Sequence, residues 1–144
     1  MPSALASLWQ ATVGRSQLLR FVIVGGFGFL VDAGVVSLLV ATTGLGLYWG
    51  RLVSFLCAAS TTWVLNRNFT FRGHGSDNRV REWGKFLVVS IGGAIINYGV
   101  YAVTIELWPL ARQFPAIAVA FGSLAGMGFN FPASKYLVFV ARND

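Results

Sequence analysis

The sequence predicts an all-α membrane protein: four transmembrane helices built as two tandem two-helix repeats, with the N- and C-termini cytoplasmic. Three observations predict it. The 144 residues are 56% hydrophobic and 11% charged, with a mean hydropathy of +0.66. A soluble domain of this size is about a quarter charged, so there is too little polar surface to cover a globule in water. Apolar stretches close to the roughly 20 residues that a bilayer core demands recur four times. The cations, finally, gather on one side of the membrane that those stretches define. A net charge of +6 suits nucleic acid or an anionic membrane face; the apolar excess selects the membrane, and no nucleic-acid partner is expected.

The first span, residues 21–42, follows Arg20 and ends before Gly44. Its charges come late, Asp32 interrupts it, and no small-residue cleavage site follows, so it is expected to stay in the mature protein rather than act as a leader. The second, residues 48–66, ends in Asn66-Arg67-Asn68. The third, residues 86–107, is entered through Arg81, Glu82, Trp83 and Lys85. The fourth, residues 115–134, opens on Pro115, a good first-turn residue, and stops at Lys135. The outer connections are short. The middle one, residues 67–85, is hydrophilic and is expected as a cytoplasmic loop in which His74 is solvated. All of it reads as a single domain, 1–144.

Four antiparallel spans place the termini and the middle loop together. That side holds Arg15, Arg20, Arg67, Arg72, Arg79, Arg81, Lys85, Lys135 and Arg142, and the other only Arg51 and Arg112. Cytoplasmic segments carry the excess of Lys and Arg, so this side is inside. Tyr48, Trp49 and Trp108 then fall at the outer interface and Trp9 and Trp83 at the inner one, where aromatics anchor helices.

The chain also matches itself. At an offset of 65, Arg20-Phe21 meets Lys85-Phe86, Gly28 meets Gly93, and Asp32 meets Asn97. At an offset of 68, Asn66-Arg67 and Thr70-Phe71 meet Ser134-Lys135 and Val138-Phe139. Each unit has two spans, so both enter the membrane in the same direction, as in a parallel repeat.

Polar groups within the spans are the candidate functional residues. Asp32 lies twelve residues beyond Arg20, about 18 Å along a helix and near the middle of the bilayer. An aspartate there opposes insertion by about 2.5–3.5 kcal/mol. Its expected partner is Asn97, at the equivalent depth, or a basic group reaching inward. Two readings stand: a working carboxylate, or a structural polar contact between helices. Arg20, Arg67, Lys85 and Lys135 form a basic layer at the inner mouth. They read either as a site for a phosphate, through charge-assisted hydrogen bonds, or as cations snorkelling to headgroups. Arg51 and Glu106 are expected to pair across the bundle.

Small residues at Gly25, Gly26, Gly28, Ser54, Ala58, Thr62, Gly122 and Gly126 predict close helix packing. Pro132 cannot donate to the carbonyl of Gly128, and Asn130 is placed to serve that freed carbonyl. No nucleophile with an adjacent base, no metal-ligand spacing and no phosphate loop occurs, so neither enzymatic activity nor a cofactor or metal is expected. The one cysteine, Cys57, excludes an internal disulfide.

Three segments together carry a resemblance. They are Arg20-Phe21-x-x-Val24-Gly25 leading to Asp32, then Trp63-x-x-Asn66-Arg67-x-Phe69-Thr70-Phe71, and Asn130-Phe131-x-x-Ser134-Lys135-Tyr136-x-Val138-Phe139. With four spans in this length, the chain resembles the GtrA-like family, departing at Pro132, where an aliphatic residue is expected. The resemblance implies a multi-pass protein of the bacterial inner (cytoplasmic) membrane. It implies translocation (flipping) of a polyprenyl-phosphate-linked sugar from the cytoplasmic to the outer leaflet for cell-surface polysaccharide synthesis, beside a membrane glycosyltransferase. Arg20, Arg67, Lys85 and Lys135 would then attract the phosphate. Asp32, Asn66, Asn97 and Asn130 would line a polar groove for the sugar. Two other readings remain. One is a proton-coupled exporter resembling small multidrug transporters, which the basic layer opposes. The other is a non-transporting adaptor that docks a glycosyltransferase through the middle loop. Four short spans enclose little volume, so a homo-oligomer surrounded by membrane lipids is expected.

Overall fold

The structure, a computed structural model, describes residues 4–140, with side chains from Ala11 onward except that of Leu47. The roles expected for the Trp9 side chain and for Arg142 lie outside the described residues. The fold is all-helical among those residues. Helix α1 (Ala4–Thr43) is followed by α2 (Leu47–Leu65), which runs into a π-helical turn (Asn66–Thr70). After a connection come α3 (Arg79–Leu107), the short α4 (Pro109–Gln113) and α5 (Pro115–Ala133), which runs into a second π-helical turn (Ser134–Val138). Two compact units result, Met1–Gly75 and Ser76–Val140. The first is a hairpin of α1 on α2, and the second a hairpin of α3 on α5.

Helices overrun the apolar segments that announce them. The 40 residues of α1 make about 60 Å of helix, twice a hydrocarbon core. It turns back at Gly44, whose φ of +64° suits glycine. Residues 79–85, expected in the middle loop, are the first two turns of α3. Asn78 caps them, its side chain accepting from the Arg81 backbone N–H at 3.0 Å. Charge marked that segment as wet, and a helix begins in water as readily as coil does. The hydrophilic connection therefore shrinks to residues 71–78.

Among the described residues, three helices are long and apolar enough to cross a membrane: Ala11–Thr43, Arg79–Leu107 and Pro115–Val138. The helix of the fourth expected span, α2, has 19 residues and would reach about 28 Å. Its Arg51, Ser54, Ser60, Thr61 and Thr62 interrupt its apolar run, and it is not among those three. Outward faces elsewhere are rich in large apolar side chains, including Phe27, Phe29, Leu30 and Leu38 of α1, as lipid-facing helices require.

Small residues let the helices approach, though not all those expected. A Cβ at Gly28 would strike Thr62, one at Gly93 would strike Asn130, and one at Gly122 or Gly126 would strike Asn97. At Gly25 and Gly26 it would meet open space, so these two glycines do not pack a helix pair. Arg51 and Glu106, expected to pair with each other, are both engaged. Each finds its partner inside its own hairpin, because α4 carries Arg112 back to the end of α3. There Arg112 donates to the carbonyls of Ile105 (2.8 Å) and Glu106 (3.1 Å) and to the Glu106 carboxylate (2.8 Å). The last carbonyls of a helix have no intrahelical donor, and an arginine satisfies them well.

Candidate functional site

The cations expected at the inner mouth are organised by the two π-helical turns. In the first unit the Phe71 N–H donates to the Asn66 carbonyl at 2.7 Å, one residue wider than an α-helical bond. The Phe71 ring, 1% exposed, packs edge-on against Phe21 at 6.2 Å between centroids. This ties the end of α2 to the start of the apolar part of α1. Arg20 donates to the Phe69 carbonyl at 3.2 Å and lies 5.2 Å above the Phe69 ring. Arg67 sits on the same turn, its guanidinium close against Gly75. Asn66 is buried and accepts from the Thr70 hydroxyl at 2.8 Å. It sets the turn from inside the hairpin.

The second unit repeats these relations. Phe139 N–H donates to the Ser134 carbonyl at 2.8 Å, and the Phe139 ring meets Phe86 at 6.0 Å. Lys85 reaches the Leu137 carbonyl at 3.4 Å, as Arg20 reaches that of Phe69. The Lys135 ammonium lies over the rings of Phe131 (6.0 Å) and Tyr136 (5.6 Å). It has no hydrogen bond or ion pair among the described residues. Each unit thus gathers two of the four expected cations at one end of its hairpin.

Asp32 meets a basic group, the second of the two partners expected for it. Arg51 donates to Oδ2 at 2.5 Å, and Ser54, fully buried, donates to Oδ1 at 2.6 Å. Ser54, expected to serve packing, also holds the carboxylate. At the matching place in the second unit, Asn97 packs on Gly122 and Gly126. Asn130 does not serve the carbonyl that Pro132 frees. Its amide presses on Gly93, and Oδ1 is buried without a hydrogen-bond partner among the described residues, as is Ser134 Oγ. Glu82, a carboxylate without an expected role, is 1% exposed and accepts from the Ser76 backbone N–H. An acid in a first helical turn is so ordinary that nothing in the pattern announces its burial.

The arrangement offers paired cations at hairpin ends, an exposed arginine on a mid-span carboxylate, and unfilled polar atoms facing into a hairpin. The cations offer donors suited to an anion. Comparison with protein families adds that the GtrA/DPMS, transmembrane domain model matches residues 20–139.

Proposed function

The chain belongs to the GtrA/DPMS transmembrane-domain family, a membrane protein of polyprenyl-phosphate sugar metabolism, and from that membership we propose that it carries a polyprenyl-phosphate-linked sugar from the cytoplasmic to the outer leaflet. One observation supports this beyond membership. Both units draw a cation from the first helix (Arg20 or Lys85) onto the π-helical turn that bears a second (Arg67 or Lys135). A phosphate monoester or diester presents several acceptor oxygens to such donors. Anchoring to headgroups would need one cation per helix end and no shared turn.

In this reading all four spans cross, the two hairpins are copies of one unit, and the termini face the cytoplasm. Only the phosphate and sugar need a polar route, since the tail stays in lipid. Asn97 and Asn130 offer amides to the sugar, Asp32 a carboxylate, and Asn66 holds the first turn in shape. The protein acts as a carrier rather than an enzyme, in the bacterial inner membrane, as a homo-oligomer beside a glycosyltransferase that uses the delivered lipid.

The test is transport of a short-chain fluorescent polyprenyl-phosphate sugar across vesicles of phosphatidylethanolamine and phosphatidylglycerol. Replacing both Arg67 and Lys135 by Ala is expected to lower binding and transport at least tenfold while the protein keeps its helical circular dichroism. Unchanged binding in a folded double variant overturns the reading.

A further inference from the structure

Asp32 has two partners of different kinds. Ser54 is sealed inside the hairpin, whereas the Arg51 side chain is 65% exposed and that of Asp32 15%. Of the five N–H donors of a guanidinium, Arg51 engages one. Arg112 differs, since three of its bonds close the end of α3. Arg51 therefore keeps donors for a further anion and an open side from which to receive it.

The second unit shows that the hairpin does not need the pair. At offsets of 65 and 68 it has Asn97, Val119 and Gly122 where the first has Asp32, Arg51 and Ser54. The equivalent helices still close, on Gly122 and Gly126. A membrane-depth ion pair is costly to insert and brings little net stability, so its presence in one unit calls for a use. Arg51 lies sixteen positions before Arg67 on α2 and its turn, about 24 Å away along the helix and near the far end of a hydrocarbon core.

Resting on the carrier reading, we infer that Arg51 is a second phosphate-binding residue, at the opposite end of α2 from Arg67, and that Asp32 occupies it as an internal anion until a lipid phosphate displaces the carboxylate. The displaced carboxylate keeps its bond from Ser54, and the guanidinium passes from a single contact to a two-pronged one on phosphate. No covalent step is involved, and the displaced carboxylate, then without a cation, is held by the Ser54 hydroxyl.

The test uses full-length protein with Arg67→Ala and Lys135→Ala already in place, so that the other cations do not mask the site. Farnesyl phosphate in maltoside micelles is the probe, tryptophan fluorescence the readout, and farnesol and inorganic phosphate the controls. Adding Asp32→Asn is expected to tighten farnesyl phosphate binding about tenfold, and Arg51→Gln on top of it to abolish the gain. Should Asp32→Asn fail to fold, Ser54→Ala loosens the carboxylate and is expected to act in the same direction, two- to threefold. Equal binding across folded variants overturns the inference but leaves the roles of Arg67 and Lys135 standing, since those rest on the change from wild type. Displacement by an equal concentration of inorganic phosphate, or equal binding of farnesol, overturns the assignment to a lipid phosphate. Failure of the wild-type protein itself to bind farnesyl phosphate overturns both readings.

Discussion

Asn66 and Ser134 hold the same place in two matching π-helical turns, but their chemistry differs. Asn66 Oδ1 receives the Thr70 hydroxyl, while position 138 is a valine and Ser134 Oγ is left unpaired. Asn66→Ala would strand a buried hydroxyl and is expected to lower stability by about 1–3 kcal/mol. Ser134→Ala removes an unsatisfied group and should stay within about 0.5 kcal/mol of wild type. Thermal unfolding in micelles, followed by circular dichroism, ranks the two, and the reverse order would refute this account of the turns. The residues themselves were legible because the charged and polar matches recur at a fixed offset. What they touch was less so. That Asp32 requires a partner follows from its depth; that the partner is Arg51 depends on the register of α1 against α2. Helices apolar on nearly every side carry no stripe from which that register can be read.

The helices pack where backbone comes close to backbone. A Cβ at Gly122 would lie 2.6 Å from the Asn97 carbonyl oxygen, and one at Gly126 would lie 2.9 Å from that of Gly93. Neither oxygen can swing aside as a side chain does. Gly122→Ala is therefore expected to cost about 1–3 kcal/mol through overpacking, seen as a lower unfolding temperature of the α3–α5 hairpin. Gly26→Ala meets open space and gains helix propensity of up to about 1 kcal/mol, so its unfolding temperature should hold or rise. A comparable loss from both would show that the packing surfaces are assigned wrongly. Small residues point to close approach, which holds for Gly122 and Gly126, four residues apart, and fails for the adjacent Gly25 and Gly26. Composition marks where a helix can be approached, and only the partner's position decides whether it is. The π-helical turns were outside what spacing reveals. Their signature in sequence is the pair of endings from Asn66 to Phe71 and Ser134 to Phe139, whose phenylalanines pack on Phe21 and Phe86.

For the molecule as a whole the property to test is the crossing of the bilayer by α2. Its length suffices, but Arg51 adds a cost near the far end of the core, and Asp32, near the middle, opposes insertion of α1 by about 2.5–3.5 kcal/mol. Inserted together as a hairpin, the two charges meet at 2.5 Å, and each neutralises what makes the other costly. Insertion of α2 is then a property of the α1–α2 pair, which a hydropathy window on α2 alone does not register. Crossing puts the connection at Gly44-Leu45-Gly46 opposite the one at residues 71–78; lying on the surface puts both on the same side. A variant with Cys57→Ser, carrying either Leu45→Cys or Ser76→Cys, separates these outcomes in intact cells. An impermeant maleimide added outside is expected to label the cysteine at 45 and not the one at 76 until the membrane is permeabilised. Adding Arg51→Gln should leave that pattern intact, since it removes the more exposed charge. Protection of both positions, or labelling of both, would show that α2 does not span, and the cations at the two ends of α2 would then lie in one leaflet.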